Sequence, residues 1–252
     1  MKTIAITQAR LGSTRFPGKI FQKIHGKTLL EIQINSLKKS KKIDDICVAT
    51  TSKKEDSKIV EFSKKLGVLS FQGSEKDVLD RFYQFALNAN PDIIIRITSD
   101  CPLIDYRLID EMITEFLKKE IDYYSNTFIE HFPDGQDVEI FTFDALKKAW
   151  QNSTLKSERE HVTPYIRNNS SFKGGKIFKS ENHKSIKNFG DVRMTVDEKK
   201  DLEVIKILIE ELGLYQTWEK YANHYVKNSR INAINSSILR NEGYQKSLLK
   251  DK

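Results

Sequence analysis

KTIAITQARLGSTRFPGK, residues 2–19, is the stretch of sequence that decides the fold. Its opening run, Lys2–Thr7, is apolar and rich in β-branched residues, which is typical of a short buried strand. A polar loop that contains two glycines follows directly, and a helical pattern comes next. A strand that leads through a polar loop into a helix is the first unit of an alternating α/β chain.

The same unit recurs along the first part of the chain. The first helix has a capping box at its start, in which Thr28 and Glu31 each satisfy a free backbone amide. The predicted elements are a helix over about 29–39, a strand over 46–50, a helix over 54–66, a strand over 68–71, a helix over 77–87 and a strand over 93–98. This alternation predicts an α/β fold with a doubly wound, mostly parallel sheet and helices on both faces.

The order of elements loosens after Pro102. The patterns predict helices over about 107–119, 158–167 and 202–212, and strands over 122–125, 138–141, 176–179 and 192–196. We expect one domain over residues 1–212, in which residues 122–141 form an insertion after the fourth strand for ligand recognition or dimer contacts. Residues 213–252 are predicted to be a helical, basic C-terminal appendage.

The composition excludes several classes of protein. Of the 252 residues, 38% are hydrophobic and 31% charged, which is too apolar for a disordered chain and too polar for a membrane protein. The first residues lack the apolar region of a signal peptide. Only two cysteines, Cys47 and Cys101, are present, so neither a disulfide framework nor a zinc set is expected. We therefore expect a globular, cytoplasmic protein with reduced thiols and no membrane partner.

The charge balance indicates an anionic partner. There are 42 basic and 35 acidic side chains, which gives a formal net charge of +7. Most of the excess is lysine scattered over helical faces without aromatic residues between, which favours a phosphate-bearing ligand over a polynucleotide. We expect no nucleic-acid partner, although a basic nucleic-acid-binding protein is the alternative from another class.

The loop from Ala9 to Lys19, ARLGSTRFPGK, carries the densest signal for ligand binding. Three cations, Arg10, Arg15 and Lys19, lie among glycines and hydroxyl residues directly after the first strand. Glycines let the backbone approach a ligand closely, and the cations offset the charge of a polyphosphate. The loop does not fit a Walker motif or a G-x-G-x-x-G dinucleotide motif. We therefore interpret it as a triphosphate-binding loop of another kind.

Two aspartates follow strand-like runs at other places in the chain. Asp100 ends the run RITSD, and Asp197 ends RMTVD. A carboxylate at the carboxyl end of a strand is placed to hold Mg²⁺ on a nucleotide's phosphates, since hard cations prefer carboxylate oxygens. Each aspartate could equally be a helix N-cap. Together they predict a magnesium site.

Four blocks of sequence resemble those of a known family of enzymes. They are QARLGSTRFPGK (8–19), GSEKDVLDRF (73–82), RITSDCPLID (96–105) and RMTVD (193–197) with Asp201-Leu202. In this order they resemble the cytidylyltransferases that activate 3-deoxy-manno-octulosonate and acylneuraminates, and most closely the branch for spore-coat polysaccharide synthesis.

The resemblance implies a Rossmann-like nucleotidyltransferase fold, usually dimeric, that uses CTP and Mg²⁺. It implies transfer of CMP to a sugar, sugar-acid or phosphorylated acceptor with release of pyrophosphate, for cell-surface polysaccharide synthesis. The residues that match the family's motifs are expected to have three roles: catalysis on the triphosphate by Arg10, Arg15 and Lys19; nucleotide binding by Gln8, Ala9, Leu11, Gly12, Ser13, Arg81, Thr98 and Ser99; and metal binding by Asp100 and Asp197.

Acceptor recognition is expected from two further motifs that resemble the spore-coat branch. They are DGQDVE (134–139), within the predicted insertion, and EREH (158–161). The residues expected to bind the acceptor are His131, Gln136, Asp137, Glu139, Glu160 and His161. The identity of the acceptor stays open at this point. A guanylyl- or uridylyltransferase that acts on a sugar phosphate is the alternative enzyme.

Overall fold

The computed structural model describes residues 1–251, so that Lys252, the last residue of the predicted appendage, lies outside the described residues. This part of the chain forms a seven-stranded sheet and a separate two-stranded ribbon. The strands are β1 (Thr3–Gln8), β2 (Lys23–Ile24), β3 (Lys27–Thr28), β4 (Asp45–Thr51), β5 (Leu69–Gly73), β6 (Ile93–Thr98), β7 (Tyr123–Ser125), β8 (Glu139–Thr142) and β9 (Ser180–Asn182).

Helices cover both faces of the sheet, which confirms the predicted α/β class. They are α1 (Leu29–Leu37), α2 (Ser57–Lys65), α3 (Val78–Ala89), α4 (Tyr106–Leu117), α5 (Phe143–Asn152), α6 (Lys156–His161), α7 (Pro164–Asn168), α8 (Lys199–Leu212), α9 (Trp218–Lys227), α10 (Ser229–Asn235) and α11 (Glu242–Leu248). None of them, within residues 1–251, is long and apolar enough to cross a bilayer.

One half of the sheet is parallel and runs in the order β5-β4-β1-β6. Its central strand β1 is buried because helices cover both faces, and Ile4, Ala5 and Ile6 have no exposed surface. The register sets Gln8, at the end of β1, opposite Thr98, at the end of β6. The loops that leave these two strands therefore start side by side at one edge of the sheet.

The other half of the sheet is largely antiparallel. β8 pairs antiparallel with both β6 and β7, and β9 is added parallel to β7. The segment predicted as an insertion after the fourth strand thus supplies β7 and β8, which widen the main sheet. Its expected part in dimer contacts stays a prediction.

Three predicted elements differ from the structure. The helix predicted over 158–167 is two short helices, because Val162 has a positive φ of 72° and Pro164 starts a new helix. The strand predicted over 176–179 lies at β9 instead. The segment 192–196 is not a strand of the sheet, since among the described residues it forms a single isolated bridge, between Arg193 and Asp134.

The C-terminal helices pack against the rest of the chain. α10 lies on α8 and α9, and α11 lies against α6. The chain therefore returns after α10 to the edge of the sheet where β1 and β6 end. The division of the chain into a domain over 1–212 and an appendage over 213–252 stays a prediction.

Candidate active site

The loop after β1 is folded by its own backbone and by one carboxylate. Asp56 accepts a hydrogen bond from the backbone N–H of Leu11 at 2.8 Å, and the Leu11 carbonyl accepts from Gly18 at 3.0 Å. Gly18 has a φ of 67°, a left-handed conformation that glycine adopts without steric cost. The backbone N–H groups of Gly12, Thr14 and Arg15 face solvent and donate to no protein group among residues 1–251. Such free amides can bind the oxygens of a phosphate.

Lys19 joins the two predicted metal ligands. Its Nζ lies 3.1 Å from Oδ2 of Asp100 and 2.8 Å from Oδ1 of Asp197, although these aspartates are far apart in sequence. Burial alone would raise the pKa of Asp100, but the charge of Lys19 and a hydrogen bond to Thr98 outweigh burial and lower the pKa to about 2. Asp100 is therefore ionised at neutral pH. The convergence of both aspartates on the loop, expected from sequence, is what the structure shows.

Asp197 reaches Asp100 because the segment 192–196 runs beside it. The carbonyl of Asp100 accepts a hydrogen bond from the N–H of Val196 at 2.8 Å. At its middle the segment passes so close to Gly135 that a Cβ on residue 135 would lie 2.6 Å from the backbone of Met194. Glycine at 135, with a φ of 109°, is thus required for this approach. Sequence pattern alone marked the segment as a strand, although its partners are loops.

A buried ion-pair network holds Asp197 in place. Arg193 donates to Asp201 at 2.8 Å and to Asp134 at 2.7 Å, and lies 3.5 Å from Asp197. Asp201 also accepts the backbone N–H of Asp197 at 2.9 Å. Charged groups this deeply buried are stable only when they are paired. The network therefore serves to orient the carboxylate of Asp197.

The two aspartates fit a magnesium ion. One ammonium group touches both carboxylates, so a single cation placed there can contact both. Mg²⁺ is commonly held by one or two carboxylates together with water and substrate phosphates. No group of three or more candidate ligands occurs in the part of the chain that the structure describes, so an ion at this pair would need water or substrate oxygens as further ligands. Magnesium binding stays a prediction.

The two arginines of the loop lie in different surroundings. Arg15 pairs with Asp197 at 2.9 Å and with Glu242 at 3.1 Å. Arg10 has a side chain that is 44% exposed, and its nearest acidic partner, Glu75, is 3.8 Å away. Arg15 and Lys19 thus lie at the carboxylate pair, whereas Arg10 lies on the outer side of the loop.

The predicted nucleotide-binding residues cluster at the ends of β1, β4 and β6. Arg81 is buried, donates weakly to the carbonyl of Ala49 at 3.3 Å, and leaves its Nε without a partner. Burial lowers the pKa of Arg81 to about 10, with the charge of Arg10 adding to the effect. The Oε1 of Gln8 is also buried without a hydrogen bond. Buried polar atoms without partners are places where a ligand can complete the hydrogen bonding.

The rest of this group lies beside these two residues. Ala9 and Ser99 are buried, and Thr98 accepts a hydrogen bond from Gln33 through its carbonyl at 2.6 Å. Leu11, Gly12 and Ser13 form the turn of the loop. The structure therefore brings the predicted nucleotide-binding residues to one edge of the sheet, and their roles stay predictions.

A cavity of about 200 Å³ opens next to the carboxylate pair. Arg15, Thr98, Asp100 and Asp197 line one side of it. The other side is lined by residues from three distant parts of the sequence, among them Asp137, Glu139, Thr163, His161, Arg167 and Tyr244. This cavity is large enough for a group of several heavy atoms beside a nucleotide.

Three of the six predicted acceptor residues line the cavity, namely Asp137, Glu139 and His161. The other three do not. Gln136 is fully buried and binds the backbone of Leu103 and Asp105, so that its amide is a structural link. Glu160 accepts from Ser247, and His131 contacts its neighbours through its backbone.

The carboxylate oxygens of Glu139 already accept hydrogen bonds from other side chains of the protein. It pairs with Arg96 and accepts hydrogen bonds from Tyr123 at 2.5 Å and Thr163 at 2.6 Å. Burial would raise its pKa, but the charges of Arg96 and Arg167 outweigh burial and lower the pKa. Glu139 therefore fixes Arg96 at the cavity wall.

Several lining residues carry no recognisable signal in the sequence. Arg240 donates to Asp137 at 2.6 Å and to the carbonyl of Phe132 at 2.9 Å, and Glu242 binds Arg15. Both lie in the segment predicted as an appendage. Arg240 is about 100 residues from its partners and Glu242 is 227 residues from Arg15, so no local pattern could have placed them at the site.

Asp134 adds an unusual titrating group to the cavity. Burial raises its pKa to about 7, and the nearby charge of Asp137 adds to the rise, while Arg240 and Arg193 partly oppose it. An aspartate with this pKa exchanges its proton near neutral pH.

A parallel sheet whose strand ends carry a basic loop, free amides and a carboxylate pair has the arrangement of α/β proteins that bind nucleotides and transfer their phosphoryl groups. Comparison with known proteins narrows this class. The family model for cytidylyltransferases matches residues 4–231. The chain belongs to the cytidylyltransferase family, as predicted, and is thereby a nucleotidyltransferase.

The chain is also similar to individual proteins and to a solved structure over most of its length. The chain is 44% identical to an uncharacterized protein of Methanocaldococcus jannaschii, over 94% of this chain and 96% of that one. It is 33% identical to the spore coat polysaccharide biosynthesis protein SpsF of Bacillus subtilis, over 82% and 86%. The structure of a cytidylyltransferase from Leptospira borgpetersenii superposes with a TM-score of 0.86 at 35% identity, over 95% and 99% of the two chains.

Proposed function

We propose that this protein transfers CMP from CTP to a hydroxyl group of a small sugar-acid or related acceptor, with release of pyrophosphate, in cell-surface polysaccharide synthesis. Membership of the cytidylyltransferase family supports CTP over GTP or UTP. The likeness to a spore coat polysaccharide biosynthesis protein supports the polysaccharide role. The single observation that carries the proposal is the convergence of Lys19, Asp100 and Asp197 beside a cavity at the strand ends.

The reaction assigns distinct tasks to the two sides of the cavity. The triphosphate binds to the loop after β1, where the free amides of Gly12 and Thr14 and the cations of Arg15 and Lys19 contact its oxygens. The acceptor binds on the other side, between Asp137, His161 and Arg167. Holding both reactants in one cavity replaces an encounter in solution by a reaction within one complex.

In the chemical step an acceptor oxygen attacks the α-phosphorus. The new oxygen–phosphorus bond forms as the bond to the pyrophosphate oxygen breaks, and the hydroxyl proton passes to solvent. Negative charge grows on the leaving pyrophosphate, which Arg15 and Lys19 stabilise because they are fixed beside it before the reaction. Mg²⁺ held by Asp100 and Asp197 would supply further positive charge at the phosphates. No covalent bond to the protein is needed.

The same proposal includes two properties of the protein in the cell. We propose that it works in the cytoplasm, where CTP is made available, and that it is a homodimer, as is usual for enzymes that resemble it. Gel filtration with light scattering measures the oligomeric state directly.

The test is a pyrophosphate-release assay with each of the four nucleoside triphosphates and a panel of acceptors. The panel contains 3-deoxy-manno-octulosonate, an acylneuraminate, a hexose phosphate and a phosphorylated polyol. Release that requires CTP, Mg²⁺ and one of these acceptors is expected. Release with GTP or UTP instead would identify the alternative enzyme. Salt-sensitive binding of polynucleotides without any pyrophosphate release would contradict the enzymatic role.

A further inference from the structure

The C-terminal segment reaches the cavity after crossing the surface of the protein. α11 lies against α6, and the side chain of Ser247, on α11, is buried at 4% exposure. Tyr244, one turn earlier on α11, lines the cavity. The segment therefore brings polar groups to the side of the cavity where the acceptor is proposed to bind. The proposed reaction does not use these groups.

Ser247 makes three close contacts through its hydroxyl oxygen. Oγ lies 3.0 Å from Nε2 of His161, 3.0 Å from Oε2 of Glu160 and 3.1 Å from the carbonyl of Gly243. A carboxylate oxygen and a carbonyl oxygen can only accept hydrogen bonds. The single proton of the hydroxyl is thus directed to one of these two acceptors.

The use of the Ser247 proton determines which nitrogen of the His161 ring is protonated. Because the hydroxyl proton is used elsewhere, the contact to His161 is a hydrogen bond only if Nε2 carries a proton and donates it. A neutral imidazole has one protonated nitrogen, so Nδ1 is then the acceptor of the ring. In residues 1–251, Nδ1 of His161 has no hydrogen-bond partner.

Other contacts keep the ring neutral and in place. Burial lowers the pKa of His161 to about 4, and the charge of Arg96 adds to this effect. Tyr244 packs edge-on against the ring, with 5.1 Å between the ring centroids. The imidazole is therefore uncharged at neutral pH and is held by two residues of α11.

We propose that Ser247 is a positioning residue that fixes the Nε2–H tautomer of His161, so that Nδ1 accepts a hydrogen bond from a hydroxyl group of the acceptor. The proposal rests on the proposed function, because it assumes that the cavity binds a hydroxyl-bearing acceptor. It also gives the C-terminal segment a part in specificity, since an acceptor without a hydroxyl at this position loses the hydrogen bond.

The first test measures the tautomer in the full-length protein without substrates. Nitrogen-15 correlation spectra of the imidazole groups distinguish Nε2–H from Nδ1–H rings. We expect His161 to be in the Nε2–H form in the wild-type protein and a mixture of both forms in Ser247→Ala. A wild-type ring with the proton on Nδ1, or an unchanged tautomer in Ser247→Ala, would overturn the proposal. The wild-type measurement holds even if the variant does not fold.

The second test separates positioning from a purely structural role. In the pyrophosphate-release assay, Ser247→Ala is expected to raise KM for the acceptor about tenfold, the usual effect of one lost hydrogen bond, with KM for CTP unchanged. Ser247→Thr, which keeps the hydroxyl, is expected to restore most of the affinity, and Ser237→Ala, at an exposed position nearby, serves as the control. Equal changes in both KM values would overturn the proposal. If the wild-type protein releases no pyrophosphate with CTP and any acceptor, the proposed function fails, while the tautomer measurement still shows whether Ser247 positions the ring of His161.

Discussion

The parallel half of the sheet and the antiparallel half build the two sides of the cavity in different ways. In the parallel half, strand ends meet at one edge, so the residues that follow β1 and β6 are brought together by strand order alone. On the other side, the wall is assembled from loops near residues 134–139, from α6 and α7, and from the C-terminal segment. The side proposed for the nucleotide therefore follows largely from local sequence patterns, whereas the side proposed for the acceptor depends on long-range packing.

The largest effect on turnover is expected from substitutions of the carboxylate pair, Asp100 and Asp197, which test the role of the strand ends. Asp100→Asn and Asp197→Asn each remove a charge from the expected magnesium site while keeping the shape of the side chain. Both are expected to reduce turnover about a thousandfold or more, since a metal ion lowers the free energy of the charged transition state by several kcal/mol in such reactions. Turnover measured across a magnesium titration is the readout.

Asp191→Asn, at an exposed position, is the matched control and should behave as wild type. Normal magnesium dependence in both Asp100→Asn and Asp197→Asn would place the metal elsewhere and break the link between strand ends and nucleotide binding.

Lys19→Ala tests the loop side of the same cluster. We expect turnover to fall by about a hundredfold to a thousandfold, the range found when one preorganised donor to a transition state is removed. The change also leaves Asp100 and Asp197 without their shared partner, so a loss of thermal stability is expected as well. Pyrophosphate release and thermal unfolding are measured together, with Lys23→Ala, an exposed lysine close in sequence, as the control. Near-native turnover would exclude the loop from catalysis.

Arg240→Ala tests the side of the cavity that is proposed to bind the acceptor, without changing the loop after β1. Loss of this guanidinium frees Asp137 from its partner, and we expect KM for the acceptor to rise about tenfold with little change in KM for CTP. Arg230→Ala, an exposed arginine on α10, is the control. If KM for CTP rises as much as KM for the acceptor, the two sides of the cavity are not separate in function.

The smallest expected effect concerns the pH dependence of stability. Asp134 has a pKa of about 7 in the folded protein, against 3.8 for an ordinary aspartate. The unfolded chain therefore loses this proton at lower pH than the folded chain does. The stabilisation that Asp134 contributes is complete below about pH 4, by its ordinary pKa, and is lost as the pH rises through 7.

Asp134→Asn removes this titration. We expect Tm of the variant relative to wild type to be roughly 3–5 °C higher at pH 8 than at pH 6, because about one pH unit of titration below the folded pKa corresponds to about 1.4 kcal/mol. Thermal unfolding at both pH values, with Asp191→Asn as the control, measures the difference. A constant difference between variant and wild type would show that Asp134 does not titrate in this range.

Particular residues show how far the sequence could predict this structure. The strand over 93–98 has the predicted bounds, and Asp100 and Asp197 lie close together as expected, although the run before Asp197 is not a strand of the sheet. The helix predicted over 158–167 is interrupted, because a helical pattern does not reveal the positive φ of Val162. Gln136 stands in a motif that indicated acceptor binding, yet its amide serves the backbone of the turn.

The sequence by itself determined the alternating sheet, the basic loop, the position of Asp100 after a strand and the family, whereas the position of Asp197 was decided by tertiary contacts. The features that the sequence determined depend on periodicity and on residues that are close in sequence to a strand end, so local physical chemistry is sufficient to place them. Only the tertiary structure decided that the loops near residue 134, the helices around His161 and the segment around Ser247 enclose one cavity. Their contacts join residues about 100 positions apart in the sequence. Side-chain packing between such distant residues depends on the whole fold, so no periodic sequence pattern predicts it.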